Sequence, residues 1–332
     1  MSRYAAAYAN PQGPGDSRPT ALQVVEDEGL IGKLSGKVVL ITGGNTGIGL
    51  ETARAIHATG ATLFITARDT NKAQQAIDNI KNGLNSDAPV HAIELHLDSL
   101  ASVRSAAEAF HSQSNRLNVL IFNAGVLGKP QGNTEDGFET QFATNHLGHF
   151  LFFQLVKPTL LTSSTPKSHS RVISVSSMAH HRSNICLDDI NFEKEEYKPW
   201  NAYGRSKTAN ILFTNEVERR YGAEGLHGLS LHPGFIYTNL MQHLSGSSLA
   251  EFESLVSNDA AQKVVSTPAQ GAAMTTYAAL SAEWEGRGGT YLADLADKGH
   301  TGDFTGPASW TYDEKLQKEL WEKSNQLVGF ED

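Results

Sequence analysis

Short apolar runs and stretches of helical period take turns along most of this chain. Lys37 to Thr42 (KVVLIT) is a β-branched apolar run that leads into a glycine turn and a helical pattern through His57, which reads as strand, turn and helix. Further strands are predicted at Ala61–Thr66, Val90–Leu95, Val119–Phe122, Arg171–Ser176, Leu229–His232 and Thr290–Leu292. One helix is predicted from about Asp69–Thr70. Another follows a cap at Asp98 or Ser99, with Leu100, Val103, Ala107 and Phe110 at helical spacing. Longer helices are predicted over 137–161 and 201–221. A last one runs from Thr267 to about Ala282, where a capping threonine precedes Pro268 and Gln270. Repeated β-α units of this kind predict an α/β fold: a doubly wound parallel sheet of about seven strands, helices on both faces, in one domain over 35–332.

The flanks of this pattern differ from it. Residues 1–19 are Ala-rich and then Pro/Gly-rich, the composition of a flexible arm, and within 20–34 the positions Leu22, Val24, Val25 and Leu30 suit a short lead-in helix. Through 239–266 the apolar residues Leu240, Met241, Leu244, Leu249, Phe252 and Leu255 are scattered as in a mobile lid over a substrate. An exposed apolar helix used for dimerisation or membrane contact has the same pattern.

Composition narrows the classes. A formal charge of −9 over 332 residues offers no footprint for a phosphate backbone, which excludes nucleic acid as a partner. The single cysteine, Cys186, builds neither an internal disulfide nor a zinc site, and reads as an inert thiol in a reducing compartment. With no basic start before an apolar core and no apolar run of about 18 residues, neither a signal peptide nor a membrane span is predicted, and a cytoplasmic location is expected.

Two stretches carry chemistry. Gly43, Gly47 and Gly49, in TGGNTGIG (42–49), follow the first strand and open a helix, where glycines permit a tight turn and let backbone approach a pyrophosphate at the positive helix end. This is a Rossmann-like dinucleotide site. At the end of the second strand Arg68 stands where an acid would bind a ribose hydroxyl, so NADP(H) is favoured over NAD(H). Asp69 is available to ribose but suits a helix cap, and Asp98 is either an adenine contact or a cap. The second stretch, Tyr203-Gly-Arg-Ser-Lys207, places a phenol and an ammonium on one helical face about 6 Å apart along the axis. A positive charge favours phenolate, and so lowers a tyrosine that titrates at about 10 when free.

TGGNTGIG, the FNAG of 122–125, VSS at 175–177, YGRSK and the HPG of 232–234, in this order, resemble the short-chain dehydrogenase/reductase family. The resemblance covers the chain from about Ser35 onward. QFATNHLGHFLF (141–152), SVSSMAHH (174–181) and SKTANILF (206–213) look most like its retinol-dehydrogenase and WW-domain-oxidoreductase group. Phe122 departs from the asparagine that the family often has there. The resemblance implies that Tyr203 is the general acid for carbonyl reduction, and the base for alcohol oxidation. Lys207 then holds the nicotinamide ribose and lowers the tyrosine, while Ser177 bonds the substrate oxygen; strand alternation alone does not choose between Ser176 and Ser177. It further implies that Asn145 holds a water in a proton relay; from the residues alone Asn145 is a helix-to-helix hydrogen bond. Asn45, Thr46 and Ile48 in the glycine turn, Asn123, Ala124 and Gly125, and Pro233 and Gly234 are implied cofactor contacts, with Thr238 bonding the carboxamide.

Trp200 and Tyr237 flank the catalytic helix and the Pro-Gly turn, as substrate contacts or as packing. His146 with His149, and His180 with His181, lack acidic or thiol partners at matching spacing, so no metal is expected. A homodimer through helices 137–161 and 201–221 is a further expectation. The leading reading is an NADP(H)-dependent carbonyl reductase or alcohol dehydrogenase for a lipophilic small molecule, retinoid-like or a secondary metabolite. A cofactor-bound redox-sensing scaffold and a non-redox cyclase or isomerase on the same fold are the alternatives.

Overall fold

A computed structural model describes residues 2–299 and 304–332. Its strands are β1 (Val38–Ile41), β2 (Thr62–Ala67), β3 (Val90–Glu94), β4 (Val119–Phe122), β5 (Ser170–Val175), β6 (Leu226–Leu231), β7 (Phe235–Ile236), β8 (Val265–Ser266), β9 (Thr290–Ala293) and β10 (Ala296–Asp297). The helices are α1 (Ala5–Ala9), α2 (Ala21–Asp27), α3 (Gly47–Ala58), α4 (Thr70–Lys81), α5 (Leu100–His111), α6 (Thr140–Phe142), α7 (Gly148–Ser163), α8 (Pro199–Tyr221), α9 (Gly246–Leu255), α10 (Asp259–Val264), α11 (Pro268–Leu280) and α12 (Glu314–Val328).

The main sheet has the order β10-β9-β6-β5-β4-β1-β2-β3. Its parallel strands are those expected; the addition is the two-residue antiparallel β10 at one edge. Burial on both faces explains why β1, β4, β5 and β6 read as apolar runs, with every residue of each buried. Leu40, Phe64, Leu120 and Val172 pack with α5, α7, α8 and α12 on one side, whereas Val39, Ile41, Leu63 and Ile173 pack with α2, α3, α4 and α11 on the other. Strand order reverses between β1 and β4, so the crevice opens at their carboxyl ends.

The helix ends follow local capping chemistry. Asp69 accepts from the amides of Asn71 and Lys72, Ser99 from Ser102, and Thr267 and Gln270 form the expected reciprocal box. The helix predicted over 137–161 instead starts at Thr140 and contains a π turn at Ala143–Leu147.

Both ends of the chain pack on the body. Residues 2–19 lie against the body: Tyr4 and Arg18 are buried, and Gln270 of α11 donates to the carbonyls of Asp16 and Arg18. On α7 and α8, where a homodimer contact is expected, α12 of the same chain also packs. Trp321 stacks on Phe213 at 6.0 Å and meets Phe150 and Phe153 edge-on. Asp313 caps α12, and its Leu320, Trp321 and Val328 are buried there. No helix among the described residues is long and apolar enough to cross a membrane.

Candidate active site

The turn from β1 to α3 is shaped by backbone contacts. Gly43 and Gly47 have φ of 66° and 56°, and a Cβ on Gly49 would lie 2.2 Å from the Gly43 carbonyl oxygen. Thr42 ties this turn to the end of β4, because its hydroxyl accepts from the amides of Asn123 and Ala124, each at 3.1 Å. The Asn123 amide returns bonds to the carbonyls of Thr42 and Gly43. A cleft of about 1020 Å³ opens here, lined by Gly43, Asn45 to Gly49, Arg68, Asp98, Asn123 to Gly125, Ser177, Trp200, Tyr203, Lys207, Pro233, Gly234 and Thr238. A groove of glycine backbone at a helix N-terminus, with a guanidinium at its far end, fits a dinucleotide.

Within it the acids divide. Asp69 is occupied as the α4 cap, whereas Ser99 takes the cap of α5 and leaves Asp98 facing the cleft. Lys72 and Gln75 also line the Arg68 end. The sequence reading missed them, although they sit one and two helical turns beyond Arg68. Thr238 lines the cleft and caps the turn after β7, its hydroxyl accepting from the Leu240 amide at 3.3 Å, which leaves its proton for a further bond.

At the other end, α8 carries Tyr203 and Lys207 into the cleft floor. The Tyr203 phenol and Ser177 both line this floor, and the Ser177 hydroxyl accepts from the Ala179 amide at 3.1 Å. Ser176 lines the cleft as well, but its hydroxyl is spent on the Lys207 carbonyl, to which it donates at 2.8 Å. Lys207 donates to the Val175 carbonyl at 2.9 Å, with its ammonium 5.5 Å from the centre of the Tyr203 ring. The expected lowering of the phenol is overturned. Burial pushes Tyr203 up to about 12, outweighing the lowering by Ser177, and burial pushes Lys207 down to about 7.

Asn145 lies in the π turn with its side chain fully engaged. It accepts from the Val126 amide at 2.8 Å and donates to the Val126 carbonyl and to Ser206 of α8. The helix-to-helix bond is therefore present. Its own carbonyl accepts from Nδ1 of His149, and Nε2 of that ring accepts from Thr42 at 2.9 Å. These bonds fix one neutral tautomer, consistent with burial pushing His149 down to about 3.

The His180–His181 pair is likewise structural. His180 donates from Nδ1 to the Ser177 carbonyl at 2.6 Å and accepts at Nε2 from the Ala308 amide, and His181 bonds the Gly306 carbonyl. Both rings thus tie the serine turn to the segment before α12, a role no local sequence signal discloses. Groups of three or more His, Cys, Asp or Glu placed to hold a metal are absent among the described residues.

The substrate end is apolar. Leu127, Trp200, Tyr203, Leu244, Phe252 and Val256 form one cluster, and the Trp200 indole donates to the Ser248 carbonyl of α9 at 3.1 Å. Arg182 lies over the Trp200 ring and pairs with Glu251. Tyr237 is not a cleft-lining residue; it is 47% exposed, packs on Phe252 and accepts a bond from Gln262.

The family profile described as short chain dehydrogenase matches residues 37–249. The short-chain dehydrogenase/reductase prx1 of Penicillium roqueforti is 46% identical over 331 residues, covering 98% of this chain and 95% of that protein. Human retinol dehydrogenase 13 is 37% identical over 298 residues, covering 90% and 86%. Among solved structures, a protein of Mycobacterium paratuberculosis superposes with a TM-score of 0.68 at 33% identity, covering 90% of this chain and 95% of that one.

Proposed function

The chain belongs to the short-chain dehydrogenase family, and from that premise we propose that it is an NADP(H)-dependent oxidoreductase that reduces a ketone or aldehyde of a lipophilic small molecule, or oxidises the alcohol. The observation that carries this reading is the gathering of Ser177, Tyr203 and Lys207 at the floor of a cleft whose substrate end is walled by Leu127, Met178, Trp200, Phe235 and Phe252. The acids lining the cleft, Asp69 and Asp98, both belong to its cofactor end.

In this reading the glycine turn holds the pyrophosphate at the start of α3, Asn123 to Gly125 border the adenosine half, and Arg68, with Lys72 beside it, receives a 2′-phosphate. Pro233, Gly234 and Ile48 wall the nicotinamide. The bound dinucleotide supplies or accepts the hydride at the substrate carbon. Ser177 donates a hydrogen bond to the carbonyl oxygen as negative charge grows there, and Tyr203 delivers its phenolic proton to that oxygen. A phenol held at about 12 is protonated at neutral pH, which suits an acid. Lys207 holds the ribose hydroxyls, and its charge stabilises the phenolate left behind. Asn145 and His149 act by position, fixing β4 and the glycine turn against α8.

The test is to supply the full-length protein with NADPH or NADH and decanal, trans-retinal or an aromatic ketone, following cofactor oxidation and product mass. Alcohol formed faster with NADPH supports the reading. NADPH bound without turnover would leave a redox-sensing scaffold, and a rearranged product without cofactor consumption would leave a non-redox enzyme.

A further inference from the structure

The segment 239–264 leaves the sheet through β7 and returns through β8. These two strands pair in parallel, Phe235 opposite Val265 and Ile236 opposite Ser266, so the outgoing and returning legs stand side by side at the cleft. The outgoing leg continues from β6 through Pro233 and Gly234. The returning leg has no such strand behind it; α10 ends at Val264 and two residues of β8 lead straight into α11.

What holds the returning leg comes from the far end of the sequence. Arg18 is 5% exposed, and its guanidinium donates to the carbonyls of Val264 at 2.8 Å, Val265 at 2.7 Å and Gly13 at 3.1 Å. Its Nε donates to Asp16 at 2.9 Å. Asp16 is fixed in turn by the amides of Gln12 and Arg18. The capping glutamine of α11, Gln270, accepts from the Gly15 amide and donates to Asp16 and to the Arg18 carbonyl. The last carbonyls of a helix lack partners within it, and a planar guanidinium satisfies several at once where an ammonium has a single centre. Arg18 is thus a cap for α10 supplied from 246 residues away.

We infer that Arg18, held by Asp16, is a positioning residue for substrate binding: it fixes the returning leg of the 239–266 cover, so that Phe252 and Leu244 close on Trp200 and Tyr203. This rests on the reading of 239–266 as the cover of the substrate half. The cover is then pinned at its crown by the Trp200 indole on Ser248 and the Arg182–Glu251 pair, and at its root by Arg18. Loss of the root lowers the fraction of closed molecules, which raises the apparent KM for the carbonyl substrate in proportion and leaves the cofactor turn untouched.

The experiment compares wild type, Arg18→Met, Arg18→Lys, Asp16→Asn and Phe252→Ala as full-length proteins, with NADPH and decanal as probes. For Arg18→Met the expected result is a KM for decanal raised about tenfold, kcat and the NADPH dissociation constant within about twofold, and faster hydrogen exchange over 256–266 with 271–279 unchanged. Arg18→Lys and Asp16→Asn, which keep a cation at the site, are expected to fall between. Phe252→Ala raises KM without changing exchange at 256–266, and so tests the cover itself. Unchanged exchange at 256–266 in Arg18→Met overturns the inference, as does an unchanged KM in a set where Phe252→Ala raises it. An unchanged KM in Phe252→Ala overturns the reading of the cover and the inference with it. If Arg18→Met does not fold, Asp16→Asn decides: NADPH affinity falling as far as decanal affinity contradicts a role confined to the cover.

Discussion

At the cofactor end the cleft wall is backbone, at the substrate end it is side chains. Gly49 sits so close to Gly43 that not even a methyl group fits between them, and Thr42 and Asn123 lace that turn to β4 through five hydrogen bonds within the sheet layer. Leu244, Phe252 and Val256, by contrast, are carried on a segment that leaves the sheet, and their position depends on Trp200 at one end and Arg18 at the other. A wall of backbone accepts one ligand shape and tolerates little change. A wall of side chains on a tethered segment sets its shape by distant contacts, and its selectivity is adjustable without disturbing the dinucleotide turn.

The most damaging way to probe this contrast is at the backbone wall. Gly49→Ala places a Cβ against the Gly43 carbonyl, and NADPH affinity is expected to fall by about 3 kcal/mol or more, read by fluorescence titration. Retained affinity would mean that the turn is not the pyrophosphate site. Next comes the guanidinium at the end of β2. Arg68→Ala is expected to weaken NADPH by about 1.5–3 kcal/mol and leave NADH nearly unchanged, since only the 2′-phosphate loses its partner. Equal weakening of both would remove the cofactor preference.

The effect of smallest slope, a gradual one, sharpens the comparison at the junction of the two halves. Lys207, pushed down to about 7, carries its charge below that pH and loses it above, whereas Tyr203, at about 12, keeps its proton throughout. The kcat/KM for reduction is therefore expected to fall by about tenfold per pH unit as pH rises above 7, in a profile from pH 6 to 9. A rate flat across that range would place the falling limb elsewhere.

The two halves also differed in how much of them was legible beforehand. The glycine turn is written in consecutive residues, because its constraint is steric and local, and Tyr203 with Lys207 is one helical turn. Asp69 was separable as a cap for the same reason. That the Ser176 hydroxyl is spent on the Lys207 carbonyl depended on the packing of β5 against α8, and the choice for Tyr237 between substrate contact and packing depended on Phe252, fifteen residues further on. The protonation of Tyr203 and Lys207 was read with the wrong sign for the phenol, since adjacency in sequence shows the charge but not the burial that outweighs it. Arg18 and α12 were invisible for a simpler reason: their partners lie far along the chain, and nothing in an Ala- and Gly-rich start or an amphipathic end names the surface it covers.

The central claim is that Tyr203 is the proton donor of a carbonyl reduction, and one side-by-side measurement tests it. Tyr203→Phe keeps the ring that packs on Trp200 at 6.2 Å but removes the phenolic hydroxyl. Single-turnover reduction of decanal is expected to slow by at least ~10²–10⁴, the contribution of a positioned acid, while the NADPH dissociation constant barely changes. A Tyr203→Phe protein that still forms alcohol from decanal at a rate near that of the wild type would contradict the account.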